Sequence, residues 1–464
     1  MPKVSRFFQS IPYDINSSII WHSIFGRPML VGRKFADFLR KHSEDSTFFT
    51  YDEFFGKGFE KDEAIIEAID SLSEAHILLN TRDILDSKEK KDIDSLHSKY
   101  DLYCVNKIKN LSLIMSEECP FRCKYCIHFA NSEHQHNPEK MMSLDVAELA
   151  VESFLYDIIF SNGLRDAYIN FGGGEPLLNW EIIEQILPYI KARSEELGIE
   201  VKLGINTNLA LLNKHMAKTL LEYGVEFAAS LDGTEAGNDS VRLTKNLKGT
   251  YKQIMRGFDI LKELGHPLDG FAMTVTEDNF FDIDTPIIDW AASLGMIEVR
   301  IDIDVLGTVN MPISEIVSRL MAVRKYARTK GISVIGFWSR PAENLGLIPE
   351  DEDVGFCGGE RGNSICVAPS GQVFPCGYSN YKLGEYYDIP FISYKEAYRK
   401  LLNNRSFDKI SSRCNNENCP ILGFCRGGCM ITREASGDNP AKLSRMCELY
   451  RAMTYEILRE SVAG

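Results

Sequence analysis

The sequence predicts an α/β chain whose middle is a parallel sheet, with a small module before it and a cysteine-rich region after it. Three observations carry this. Between 108 and 340, six short apolar runs (LSLIMS, AYINF, VKLGIN, VEFAASL, GFAMTVT and IEVRIDI) alternate with amphipathic segments. Two of those segments, WEIIEQILPYIKARSEELG and TYKQIMRGFDILKELG, end at Gly as a helix C-cap would. Such β/α alternation implies a parallel sheet, open or curled into a partial (β/α)6 barrel, with ligand chemistry at the C-terminal ends of the strands. Residues 1–90 have a different rhythm, a hairpin followed by short helices. The third observation is that eight of the 12 cysteines fall in the last 108 residues.

In the first module, SSIIWHSIFGRPMLVG reads as a hairpin turning at Phe25-Gly26-Arg27-Pro28. KFADFLRKH is a short helix. Thr50 and Glu53 have the spacing of a capping box and open a second. KDEAIIEAIDSLSEAHILL, with Ile65, Ile69 and Leu72 on one face, is a third. The pattern is winged-helix-like. A charged stretch follows, and the linker is placed at 91–107. Within residues 1–90, 12 Lys+Arg stand against 15 Asp+Glu, a balance that disfavours DNA.

The whole chain has 44% hydrophobic and 25% charged residues, which excludes disordered and fibrous classes. Its net charge of −14 argues against broad nucleic-acid binding. No apolar stretch approaches the ~20 residues that span a bilayer. The N-terminus lacks the apolar core of a secretory signal. A soluble, cytoplasmic protein with neither membrane nor nucleic acid as partner is expected, and clustered thiols there bind metal more often than they pair.

The first strand runs directly into EECPFRCKYC, so Cys119, Cys123 and Cys126 sit on a loop at a strand's C-terminal end, spaced Cys-x3-Cys-x2-Cys. Three thiolates in one compact loop suit a cubane cluster with one iron left open. A zinc knuckle completed by His128 is the alternative. Further on come Gly172-Gly173-Gly174-Glu175-Pro176 after the second strand and Asn206 and Asn208 after the third. Ser230 and Asp232 follow the fourth strand, and then Arg242.

In these residues, in this order, the chain resembles the radical SAM superfamily. The resemblance implies S-adenosyl-L-methionine and a [4Fe-4S] cluster held by Cys119, Cys123 and Cys126. It also implies that Tyr125 contacts the adenine, that Gly173, Gly174 and Glu175 receive the methionyl amino group, and that Ser230 holds the ribose. Arg242 would hold the methionyl carboxylate, and Asn206 joins the same site. A carboxylate suits an ammonium, and glycines let backbone approach a ligand closely.

The C-terminal cysteines resemble the SPASM domain, placed at 341–464 after a radical SAM core at 108–340. Gly371 follows Cys357 after thirteen residues and precedes Cys376 by four; Cys414-x4-Cys419-x5-Cys425-x3-Cys429 and Cys447 complete the set. The x4 is a departure, since the family commonly has x2. The resemblance implies two auxiliary clusters, making three [4Fe-4S] clusters in all. Cys357, Cys376 and Cys429 would hold the first, and Cys414, Cys419, Cys425 and Cys447 the second. Cys366, placed opposite Pro375 in the hairpin ICVAPSGQVFPC, is open between ligand and outward-pointing thiol. Cys104 is left over as a small buried hydrophobe. A two-zinc module is the alternative for this region.

The front module resembles the leader-binding element of ribosomal-peptide maturases. The implied function is oxidative crosslinking of a precursor peptide through a 5′-deoxyadenosyl radical, thioether before carbon–carbon. A one-electron reductant such as flavodoxin or ferredoxin would serve as partner. Sulfatase maturases are the enzymatic rival; they characteristically carry an Asp after the equivalent of Cys376, where this chain has Gly377. A zinc-bound peptide scaffold is the rival without catalysis. His128, His134 and His136 are expected to be solvated, and Asp302 and Asp304 to lie at a solvated rim.

Overall fold

The computed structural model describes residues 1–58, 62–80, 108–130, 140–160, 163–305, 309–346, 356–403, 418–436 and 440–463. The expected linker at 91–107, Cys104, Cys414, His134 and His136 lie outside the described residues.

The first module is a three-stranded antiparallel sheet in the order β2 (Phe8–Pro12), β3 (Ser17–His22), β4 (Gly26–Gly32). Helices Arg33–Glu44, Asp52–Phe55 and Glu63–Glu74 follow. β1 (Lys3–Val4) pairs with β5 (Leu78–Leu79) and ties the module's two ends together. The expected hairpin is β3–β4, but Arg27 and Pro28 belong to the strand, where an edge position tolerates proline's missing N–H. β2 has no strand signature of its own; it is a strand because β3 pairs it from Phe8↔His22 to Pro12↔Ser18. At the second helix Glu53 reaches back to the Thr50 N–H at 2.8 Å, half of the expected capping box.

Strand alternation in β3 then does something the sequence does not announce. Ile20 faces the module's own helices, in a core with Val4, Phe8, Leu39 and Leu72. Ile19 and Trp21, on the opposite face, pack against Leu345, Phe424 and Leu458 from the far end of the chain. The Trp21 indole N–H donates to the Pro420 carbonyl at 2.8 Å, and the Gly423 N–H donates to the Ser23 carbonyl at 3.0 Å.

The six expected barrel strands form in order: β6 (Asn110–Ser116), β7 (Asp166–Gly173), β8 (Glu200–Thr207), β9 (Val225–Ala229), β10 (Gly270–Val275) and β11 (Glu298–Ile303). β6 to β9 are parallel neighbours, and a parallel bridge from Ser230 to Ala272 carries the arc to β10 and β11. A seventh strand, β12 (Ser333–Ile335), extends it. Along each strand one set of residues, such as Leu111, Leu113, Ile169, Phe171 and Ile301, is buried in the main core. The alternate set, with Ser112, Asn170, Asn206, Thr274, Arg300 and Asp302, takes the other face.

The C-terminal hairpin of β13 (Ser364–Val367) and β14 (Gln372–Phe374) pairs with the barrel itself, because β13 runs parallel to β6 with Cys366 beside Ser112. Within the hairpin Cys366 stands opposite Phe374, not Pro375. The last helix, Pro440–Ala463, is held to helix Ile313–Thr329 by Arg324 and Arg328 on Glu460, at 2.8 and 2.9 Å.

Truncating Trp21 removes the largest side chain between the first module and the body, together with its hydrogen bond. Trp21→Ala should cost about 3–5 kcal/mol and speed proteolytic release of residues 1–80 under native conditions. Unchanged protection of that segment would show that the contact does not hold the module.

Candidate functional site

The loop after β6 is pinned from both sides. The Glu117 N–H donates to the Lys140 carbonyl at 2.8 Å, the Arg122 N–H to Leu243 at 2.6 Å and the Lys124 N–H to Val241 at 3.0 Å. This brings Cys119, Cys123 and Cys126 into one another's electrostatic field. Burial first, and then the neighbouring Glu175 and the other two thiols, pushes the Cys119 thiol up to about 12. Burial pushes Cys123 up to about 11, with Arg242 pulling the other way. A loop that resists thiolate formation by itself is one whose sulfurs ionise when a cation binds them. His128, expected to be solvated, is 5% exposed, with Nε2 at 2.8 Å from the Glu117 carbonyl.

The glycine run packs against this loop. The Gly174 N–H donates to Ser116 at 2.7 Å and the Glu175 N–H to Glu118 at 2.9 Å. A Cβ on Gly173 would lie 2.2 Å from the Ser116 oxygen and one on Gly174 2.5 Å from the Glu118 oxygen. Close approach is required here, and the partner is the cysteine loop itself. Glu175 is held from within the fold. Its carboxylate is 0% exposed and accepts from Thr207 Oγ1 at 2.7 Å, the Asn208 N–H at 2.9 Å and the Leu177 N–H at 3.1 Å. It joins β7 to β8. Asn208 turns its amide toward Cys119, with Nδ2 at 3.7 Å from Sγ. Asn206, two residues earlier, is exposed on the barrel's polar face.

Asp232 is the hub of the opposite wall. Fully buried, it accepts from the Tyr125 hydroxyl at 2.6 Å and the Thr274 N–H at 2.8 Å, and its Oδ2 is 2.7 Å from Arg242 Nε. The guanidinium lies over the Tyr125 ring, 5.5 Å from its centroid. The sequence singled out Asp232 without a role; its signal was an acid between Leu231 and Gly233 at a strand end. Ser230 is half-buried beside it. Asp302 and Asp304 are not at a solvated rim: the Asp302 side chain is 15% exposed, held by Arg300 Nε at 2.7 Å and the Phe337 N–H at 2.7 Å, and Asp304 is 2% exposed.

The hairpin decides where the Cys366 thiol points. Opposite residues of an antiparallel pair share a face, and so do residues two apart. Pairing with Phe374 therefore puts Cys366 on the face of Cys376. Cys357, Cys366 and Cys429 all act on the charge of the Cys376 thiol, which burial, above all, raises well above its usual range. Cys366 itself is pushed up to about 12, by burial first and then by Cys357, while the Gly377 N–H donates toward its sulfur. Cys419 and Cys447 form a second neighbourhood, and Cys429, Cys425 and Cys447 from both groups act on Tyr450. Among the described residues, no three Cys, His, Asp or Glu are gathered tightly enough for a single metal ion. Backbone N–H groups aimed at sulfur recur at Cys119, Cys366, Cys376, Cys419 and Cys429. Grouped thiols with N–H donors on sulfur are the donor set that iron–sulfur clusters use.

Burial pushes the Glu175 carboxyl up to about 7 from 4.5, against the pull of its three donors. The folded chain therefore keeps a proton that the unfolded chain releases, so this group's contribution falls as pH rises from 4.5 to 7 and is level above that. Relative to wild type, Glu175→Gln should gain about 3 kcal/mol of stability between about pH 5 and pH 8, read by urea denaturation. A difference that does not vary with pH would show that Glu175 is ionised throughout.

Comparison with known proteins agrees with this geometry. The model of the radical SAM superfamily matches residues 113–284. The radical SAM cyclopropyl synthase TigE of Paramaledivibacter caminithermalis is 27% identical over 98% of this chain and 95% of its own. The serine-type anaerobic sulfatase-maturating enzyme of Klebsiella aerogenes is 24% identical over 73% of this chain and 82% of its own. Among solved structures, anSMEcpe with bound AdoMet superposes with a TM-score of 0.62 at 18% identity, covering 76% of this chain and 99% of that one. Streptococcus suis SuiB bound to S-adenosylmethionine gives 0.52 at 16% identity, covering 92% and 96%. Residues 113–284 are thus a radical SAM domain, and that family implies S-adenosylmethionine and a [4Fe-4S] cluster.

Proposed function

We propose that this enzyme is a maturase that oxidatively modifies a ribosomally made precursor peptide. The observation that carries the reading is the first module: a small sheet seated firmly on the cysteine-rich region, with β4 an edge strand among the described residues. An edge strand accepts a peptide as one more strand, and Leu30 on β4 is 51% exposed. The leader would dock there and the segment to be modified would reach the polar concave face of the barrel.

Cys119, Cys123 and Cys126 would hold the cluster, leaving one iron for adenosylmethionine. Tyr125, Asn206, Ser230, Arg242 and the backbone of Gly173 and Gly174 frame the space beside it, and Asp232 fixes the tyrosine and arginine. When bound, this pair supplies a 5′-deoxyadenosyl radical that takes a hydrogen atom from an unactivated carbon. The chain's own task is to hold that carbon in place and keep water away. Cys357, Cys366, Cys376 and Cys429 would hold the first auxiliary cluster, with Cys366 included because it shares the face of Cys376. Cys414, Cys419, Cys425 and Cys447 would hold the second. A flavodoxin or ferredoxin would deliver the reducing electron.

Carbon–carbon bond formation moves ahead of a thioether, because the similarity to a cyclopropyl synthase runs over nearly the whole chain. The sulfatase-maturase reading is weakened at Gly377, where a Cβ would lie 2.9 Å from Ile114 Cδ1 and no side chain can act as a base.

Anaerobic reconstitution should give about twelve irons per chain, falling to about eight in a Cys119/Cys123/Cys126→Ala variant that no longer releases 5′-deoxyadenosine. Zinc in place of iron would refute the reading. Leu30→Asp should keep its iron and weaken precursor binding at least about tenfold, a loss of roughly 1.4 kcal/mol. Unchanged binding would place the leader elsewhere.

A further inference from the structure

The hydroxyl of Tyr450 is buried and has no hydrogen-bond partner among the described residues. Tyr450 lies on helix Pro440–Ala463, one turn beyond Cys447, and is 2% exposed. Its ring packs on Phe356 with centroids 5.3 Å apart. It also presses on Gly428, where a Cβ would meet Tyr450 Cε2 at 3.0 Å and Cys425 Sγ at 4.0 Å. The groups whose charge reaches the hydroxyl are Cys429, Cys425, Asp302 and Cys447. Tyr450 thus stands where the two cysteine groups meet the floor of the barrel.

A buried hydroxyl with nothing to bond is a standing penalty, and natural proteins seldom keep one without a use. Asp302 is already held by Arg300 and the Phe337 N–H. The remaining neighbours are sulfurs, weak acceptors as thiols and strong ones once a metal ionises them, and a phenol facing an ionised sulfur can only donate.

We propose that Tyr450 is a positioning residue whose hydroxyl donates to a sulfur of the cluster held by Cys357, Cys366, Cys376 and Cys429, raising that cluster's reduction potential. This rests on the auxiliary-cluster reading above. A hydrogen bond to cluster sulfur stabilises the extra negative charge of the reduced state.

The test is a potentiometric titration of the reconstituted full-length enzyme followed by electron paramagnetic resonance. Three proteins are compared: wild type, Tyr450→Phe, and the chain with 3,5-difluorotyrosine at position 450. At fixed potential, Tyr450→Phe should lower the reduced-to-oxidised ratio of the first auxiliary cluster about tenfold, a midpoint shift of about 59 mV. Difluorotyrosine, nearly the same size and a stronger donor, should shift it the opposite way, and it carries the test if the Phe variant does not fold. Unchanged midpoints at full iron content, or a shift confined to another cluster, would overturn the proposal. A wild type holding only about four irons would instead refute the auxiliary clusters themselves, and iron analysis shows this before any titration.

Discussion

Everything at the candidate site depends on how closely β7 can approach the loop that follows β6. Gly173 and Gly174 allow contact that any Cβ would block, at 2.2 and 2.5 Å from carbonyl oxygens of the loop. Two backbone hydrogen bonds then lock the strand ends together. Glu175, positioned by that contact, reaches across to Thr207 and Asn208, and Asn208 returns to Cys119. The circuit is closed: the cysteine loop, β7 and β8 each hold the next. Burying a carboxylate is costly unless donors surround it, and three do. Rigidity at the cysteine loop is thus made from groups that never need to touch a ligand.

Asp232 plays the same part on the other wall. A buried Asp–Arg pair is seldom a gain in stability over apolar packing, because both charges lose their water. Its value here is orientation. One carboxylate fixes the Tyr125 hydroxyl, the Arg242 guanidinium and the start of the β10 end at Thr274. The aromatic ring and the cation therefore arrive beside Cys123 as a unit.

The cysteine-rich region is continuous with its neighbours. β13 adds to the barrel sheet, Tyr450 and Cys429 share the main core, and Phe424 and Leu422 carry the first module. Cys419, Leu422 and Phe424 thus pack directly against the first module. This arrangement gives the edge of the first module's sheet and the barrel a fixed spatial relation.

The sequence by itself determined the strand–helix alternation, the cysteine spacing and the order of motifs at strand ends, because these are local: period, cap and loop length are written in consecutive residues. Six barrel strands, the helices ending at Gly198 and Gly265, and the three short helices of the first module were legible for that reason. Only the tertiary structure decided the rest. β2 is a strand by virtue of its partner, and β3 is buried on one face by its own module and on the other by segments more than 300 residues away. The direction of Cys366 turned on a register of one residue, which flips a side chain to the other face. What Glu175 and Asp232 hold was likewise decided by the fold, because burial and hydrogen-bond partners, not residue type or spacing, settle which strand ends a carboxylate joins.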